Sequence, residues 1–199
     1  KKIIFKSGKW DIKNNLVIPR GYKVFAFEGL ELNLSNSAKI LSFSPVQFVG
    51  TEENPIVISA DNHSGQGLFI MQAHEKSLLE NVYFNNLSNP SQSGWELTGS
   101  VTFYESPVRI ANCQFKNSRT DDSLNIINSR FSIDKTLFQS SFSDAIDIDY
   151  SQGEITNSFF IDSGNDAIDI SGSIVNISNV RIKKSGDKGI SVGEGSIVK

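Results

Sequence analysis

The chain has 199 residues, 38% of them hydrophobic, which at this length is enough to bury a sizeable core. Nineteen Lys and Arg stand against 22 Asp and Glu, for a net charge of -3, and no basic stripe is visible, which argues against a nucleic-acid partner. No apolar run approaches the roughly 18 residues of a membrane span, and the single cysteine, Cys113, excludes an internal disulfide framework and a cysteine-based zinc site.

The chain opens on KKIIFKSGKW, where no signal peptide is visible, so the expectation is a piece of a longer protein. Short alternating strands follow at brief intervals: Leu16 with Ile18, Val24 with Ala26, Leu30 with Leu32, and Ile56 with Ile58. SLLENVYFNN at 77–86 repeats the pattern of IANCQFKNS at 110–118 with a spacing of 31. The excess length is assigned to NLSNPSQSGWELTGS, a loop that carries Trp95.

From residue 101 the repeat is regular. Leu124, Ile146, Ile168 and Ile190 recur every 22 residues, and so do Ile126, Ile148, Ile170 and Val192. A second ladder runs through Ile110, Ile133, Ile155 and Ile177, and a third through Phe115, Phe138, Phe160 and Ile182. Within each segment apolar and polar residues alternate, which is the period of a strand and not of a helix. Three strands of this length cannot bury their apolar faces alone. Stacking the units about 4.8 Å apart places like above like. Asn81, Asn112, Asn157 and Asn179 occupy equivalent places before the third strand, with Lys135 breaking their column, and stacked Asn can form a hydrogen-bonded ladder. Cys113 falls in a column with Thr136, Ser158 and Val180 and reads as a small inward-facing residue. The prediction is an all-β solenoid in one domain over 1–199, with irregular rungs over 1–100 and regular rungs over 101–199. At GEGSIVK another rung begins, so that end is expected to be continued or capped by a partner.

These rungs resemble the right-handed parallel β-helix of the pectin-lyase-like superfamily, whose members commonly bind or cleave acidic polysaccharides. A sharper likeness is to polygalacturonase-type glycoside hydrolases, which carry Asn-Thr-Asp-Gly, Asp-Asp and Gly-His-Gly motifs on successive rungs. FSDAIDI, GNDAIDI and GDKGISV stand at the corresponding places here, 22 residues apart. The resemblance makes Asp144 and Asp166 the catalytic candidates. It also departs from the pattern: Asn165 stands where the general acid belongs, and Lys188 where the His belongs.

The acids themselves leave three readings open. Asp144 and Asp166, in a column with Asp122 below and Lys188 above, can serve the turn by accepting backbone N–H groups. Asp147 and Asp169, with Asn125 one rung below, Ser191 one rung above and Lys188 beside them, can bind a ligand, or the acids with Asn125 a cation, calcium being the ion that takes several oxygen ligands. Paired carboxyls on adjacent rungs also have the reach of a glycosidase acid and base. No other cofactor is implied. His63 and His74 read as solvated loop residues without metal-ligand spacing. Trp10, Tyr83, Trp95, Tyr104 and Tyr150 are the aromatics that sugar rings could stack on. The function expected is a non-catalytic, extracellular or cell-surface module that presents a face to a polysaccharide or to another protein. The alternative is a polysaccharide hydrolase or lyase with part of its site beyond residue 199.

Overall fold

A computed structural model describes all residues from 1 to 199. Nearly every strand belongs to one of three parallel sheets. Sheet one has eight strands, from Leu16–Ile18 to Ile190–Val192, and includes Asp122–Ile127, Asp144–Asp149 and Ile168–Ser171. Sheet two has nine, from Lys2–Phe5 to Ile197–Val198, and sheet three has eight, from Gly8–Ile12 to Arg181–Ser185. In the regular rungs the chain runs through one strand of each sheet in turn and arrives 22 residues later beside the strand it left. The chain is a right-handed parallel β-solenoid. The expected fold class is therefore found, and the less regular first half is wound in the same way.

Alternation explains why these residues form strands and where each strand points. Ile146 and Ile148 are fully buried, while Asp147 and Asp149 between and after them lie on the outer face. The predicted columns are the actual register: Leu124, Ile146, Ile168 and Ile190 in sheet one, Ile110, Ile133, Ile155 and Ile177 in sheet two, and Phe115, Phe138, Phe160 and Ile182 in sheet three. Phe84 extends the third column downward, and the four phenylalanine rings stack at centroid distances of 4.9, 4.8 and 4.9 Å. That spacing is the interstrand distance, so the backbone sets the stacking. Cys113 is buried in the core and directs its thiol to the carbonyls of Leu79 and Ala111. Burial pushes that thiol up to about 12.

The corners show what the sequence pattern meant. Asn81, Asn112, Lys135, Asn157 and Asn179 all have φ near +50°, the left-handed conformation that Asn tolerates better than most side chains. The column is therefore chiefly a backbone requirement. One Asn-to-Asn bond occurs, from Asn179 Nδ2 to Asn157 Oδ1 at 2.6 Å, while Asn157 itself donates to Asp134 Oδ1.

A second corner device has no counterpart in the sequence reading. Between sheets one and two, Ser106, Ser129, Ser151 and Ser173 each donate their hydroxyl to the carbonyl two residues back. Ser129, Ser151 and Ser173 also accept the backbone N–H of the serine one rung below, at 2.9, 3.0 and 2.8 Å. Each hydroxyl thus satisfies a buried donor that no strand partner reaches. Ser151→Ala leaves the Ser129 N–H without its acceptor and is expected to cost about 1–3 kcal/mol, read as a lower urea midpoint at unchanged slope.

The long insertion is a small antiparallel hairpin of Ser91–Gln92 and Trp95–Glu96. It packs against the lower part of sheet one. Lys39 Nζ donates to Gln66 Oε1 at 2.7 Å and to the Ser91 carbonyl at 3.1 Å, and lies 5.7 Å from the Trp95 ring. Burial holds that ammonium below its usual range. The Thr98 carbonyl takes the Asp122 N–H. Phe69, Thr102 and Asn125 sit at outward positions of sheet one and are nevertheless fully buried in this region. No helix is long and apolar enough to cross a membrane.

Candidate functional site

The outer face of sheet one changes chemistry as it rises. One outward column reads Val17, Leu41, Phe69, Thr102, Asn125, Asp147, Asp169 and Ser191. The parallel one reads Met71, Tyr104, Ile127, Asp149 and Ser171. The lower part is apolar or covered. The upper part is acidic and only partly buried.

Asn125 joins the two zones. Its Nδ2 donates to Asp147 Oδ2 at 2.7 Å and makes a longer bond of 3.4 Å to Asp122 Oδ2. Its Oδ1 is buried without a partner. Asp122 is itself buried, and burial above all, with the charges of Asp144, Asp121 and Asp149 adding to it, raises its carboxyl to about 7. The same cause raises Asp147 to about 8, with Asp122, Asp149 and Asp169 as neighbouring charges. Asp147 and Asp149 lie two residues apart on one face, where each carboxyl acts on the proton of the other. Burial raises Asp149 as well. One proton between these two carboxyls removes a like-charge repulsion that the half-buried setting would amplify.

The predicted catalytic pair forms a separate column. Asp144 Oδ1 accepts the backbone N–H of Asp166 and the Nδ2 of Asn165, both at 2.8 Å. Asp166 is buried, and its Oδ1 accepts the Lys188 N–H at 2.6 Å, with Lys188 Nζ at 3.9 Å. Lys188 also pairs with Asp187. Each carboxylate therefore ties its own rung to the next, where the expectation was a bond within the local turn. The 22-residue spacing of SDAIDID and NDAIDIS follows from that contact as well as from the isoleucines. Burial raises Asp144 despite the two hydrogen bonds it accepts.

The structure thus brings together Asn125 with Asp147 and Asp122, and Asp144 with Asn165, Asp166 and Lys188. Asp169 stands one rung above Asp147, and its Oδ1 accepts the N–H of Ile170. No three carboxyl, imidazole or thiol groups converge in a set that could hold a metal ion. His74 is exposed as expected, but His63 is only partly so, and its buried Nδ1 has no partner.

Two residues of the site had no role in the sequence reading. Alternation places Asp149 on the outward face with Asp147, but nothing in the sequence singled it out as part of a site. Phe142 is 69% exposed in the turn before Asp144, and its signal was an aromatic among serines. Tyr150, at 72%, stands at the other end of the same strand. It adopts φ +49° and lies against Gly172 of the next rung, where a Cβ would come within 2.7 Å of the ring. Gly172 makes room for that ring.

No known family model matches this chain, and no curated protein does. Among solved structures it is similar to a protein from Parabacteroides merdae described as a candidate glycosyl hydrolase, with 10% identity and a TM-score of 0.25 over the whole of this chain and 80% of the other. The fold itself rests on the strand pairing described above.

Proposed function

We propose that this chain is a non-catalytic, extracytoplasmic binding module that takes a polysaccharide along the acidic face of sheet one. The observation that carries this reading is the pair of exposed rings, Phe142 and Tyr150, at the two ends of the strand that holds Asp144, Asp147 and Asp149. Sugar rings present C–H faces that pack on aromatics, and their hydroxyls need partners that both donate and accept. A protonated Asp147 beside Asp149 supplies both roles. The acidic face favours neutral sugars over uronates, which would meet like charge.

Calorimetric titration with neutral and acidic oligosaccharides tests this. A neutral oligosaccharide is expected to bind, and Phe142→Ala and Tyr150→Ala are each expected to weaken it by about tenfold. Unchanged binding in both variants would contradict the assignment. A second reading, hydrolysis or elimination, is favoured by Asp144, Asp166 and Lys188 standing on successive rungs of one column, with Lys188 Nζ 3.9 Å from Asp166 Oδ1. Release of reducing ends, lost in Asp144→Asn and in Asp166→Asn, would replace binding with catalysis.

A further inference from the structure

We infer a second binding site, for a saccharide carrying a sulfate or phosphate ester, in a cleft on the corner between sheets one and two at the lower rungs. The cleft measures about 460 Å³. Lys1, Lys2, Arg20 and Lys23 line it, and Glu75 is the one acid among its walls. This is a local excess of positive charge on a chain whose net charge is -3. Glu75 is taken by Lys23 at 2.5 Å, and Lys1, Lys2 and Arg20 form no ion pair.

Arg20 is the fixed point of the cleft. Its Nη1 donates to the Gln72 carbonyl at 3.1 Å and its Nη2 to Gln72 Oε1 at 2.5 Å. Gln72 is held in turn, because its Nε2 donates to Glu105 Oε2 at 3.1 Å. The guanidinium lies 5.9 Å from the centre of the Phe43 ring. It is therefore oriented by neutral acceptors, its charge is not cancelled, and most of its N–H donors remain free. Lys1 Nζ sits 5.7 Å from the centre of the Tyr22 ring on the same wall.

The shape of the charge selects the ligand. The cations come from two neighbouring rungs, Lys1 and Lys2 from one and Arg20 and Lys23 from the next, and do not form one planar fork, so they suit a tetrahedral oxyanion with several acceptors better than a flat carboxylate. Phe43 and Tyr22 line the cleft behind the Arg20 and Lys1 cations, so that an attached sugar would pack beside their rings rather than on their faces. This cleft lies rungs below Asp147 and is independent of the acidic face.

Titration calorimetry at about 50 mM NaCl, with a sulfated disaccharide, its unsulfated parent, a sugar monophosphate and sodium sulfate, tests the assignment. The sulfated or phosphorylated sugar is expected to bind and the parent is not. Raising NaCl to about 200 mM should weaken binding several-fold. Arg20→Gln should weaken it about tenfold, and so should the exposed double charge reversal Lys1→Glu with Lys2→Glu, while Lys183→Gln, an exposed charge loss far along sheet three, leaves it unchanged. The proposal is overturned if neither ester binds, if both cleft variants bind as the wild type does while their melting temperatures are unchanged, or if free sulfate binds as tightly as the esters.

Discussion

Phe138→Ala is expected to lower the unfolding free energy by about 3–5 kcal/mol, whereas Phe159→Ala in the adjacent rung should cost under about 1 kcal/mol. The two side chains belong to neighbouring strands of one sheet and differ in which face they occupy. Phe138 is fully buried, with rings above and below it at 4.9 and 4.8 Å. Removing it deletes a large apolar group and leaves a void between Phe115 and Phe160 that the fixed rung spacing keeps from closing. Two offset ring contacts are lost as well, each of roughly 0.5–1.5 kcal/mol. Phe159 points outward, is 43% exposed, and carries Arg181 at 5.9 Å from its ring centre. Urea midpoints of the two variants, with slopes checked against the wild type, give the comparison. Equal losses would mean that the outward and inward faces are not assigned as described.

Stability should fall as pH rises from about 4.5 to about 8. The sign follows from proton counts. Asp122 and Asp147 have ordinary carboxylate values in the unfolded chain and folded values of about 7 and about 8. Below the unfolded value both states hold the proton, and there is no cost. Between the two values the folded chain holds protons that the unfolded chain has lost, so raising the pH favours unfolding. Above the folded value the cost is complete. Each retained proton contributes a slope of up to ~1.4 kcal/mol per pH unit. For a chain of this size that is about 2–4 °C in melting temperature per kcal/mol. Asp134 works in the opposite direction, since hydrogen bonds from Asn157 and Thr156 hold its carboxyl low, and its contribution is lost only on acidification. Asp147→Asn removes one titrating group, keeps the contact to Asn125, and should flatten the decline and raise the melting temperature at pH 8. Thermal melts of the wild type and this variant across that range provide the check.

The fold was readable because the core repeats on a constant spacing. A column such as Ile133, Ile155 and Ile177 is one physical contact seen three times, so the register could be taken from the sequence alone. The Asn column was also visible, but its cause was not. The side chains matter less for a ladder than for the left-handed backbone that Asn157 and its equivalents permit. The serine ladder was written in the same spacing, since Ser106, Ser129, Ser151 and Ser173 recur at 23, 22 and 22 residues, but serine is so common in the turns that its role shows only where the hydroxyl meets the N–H of the rung below.

The site was half legible. Alternation placed Asp147 and Asp169 on the outer face, and the 22-residue spacing stacked Asp144 beneath Asp166. Their chemistry depends on burial, and burial depends on long-range contacts that periodicity cannot supply. Asp122 is desolvated at the corner beside Thr98, and Asn125 is covered in the same region. The coupling of Asp147 to Asp149 follows from that setting. Phe142 and Tyr150 acquire meaning only once the corners show both exposed rings flanking the same strand.

Carboxyl carbon NMR of Asp147, followed from pH 3 to pH 10, tests the acidic face most directly. A midpoint near 8 is predicted, with Asp149 responding in the same step. A midpoint in the ordinary carboxylate range, below about 5, would mean that the face is fully ionised at neutral pH, and would contradict both the proton sharing and the binding role built on it.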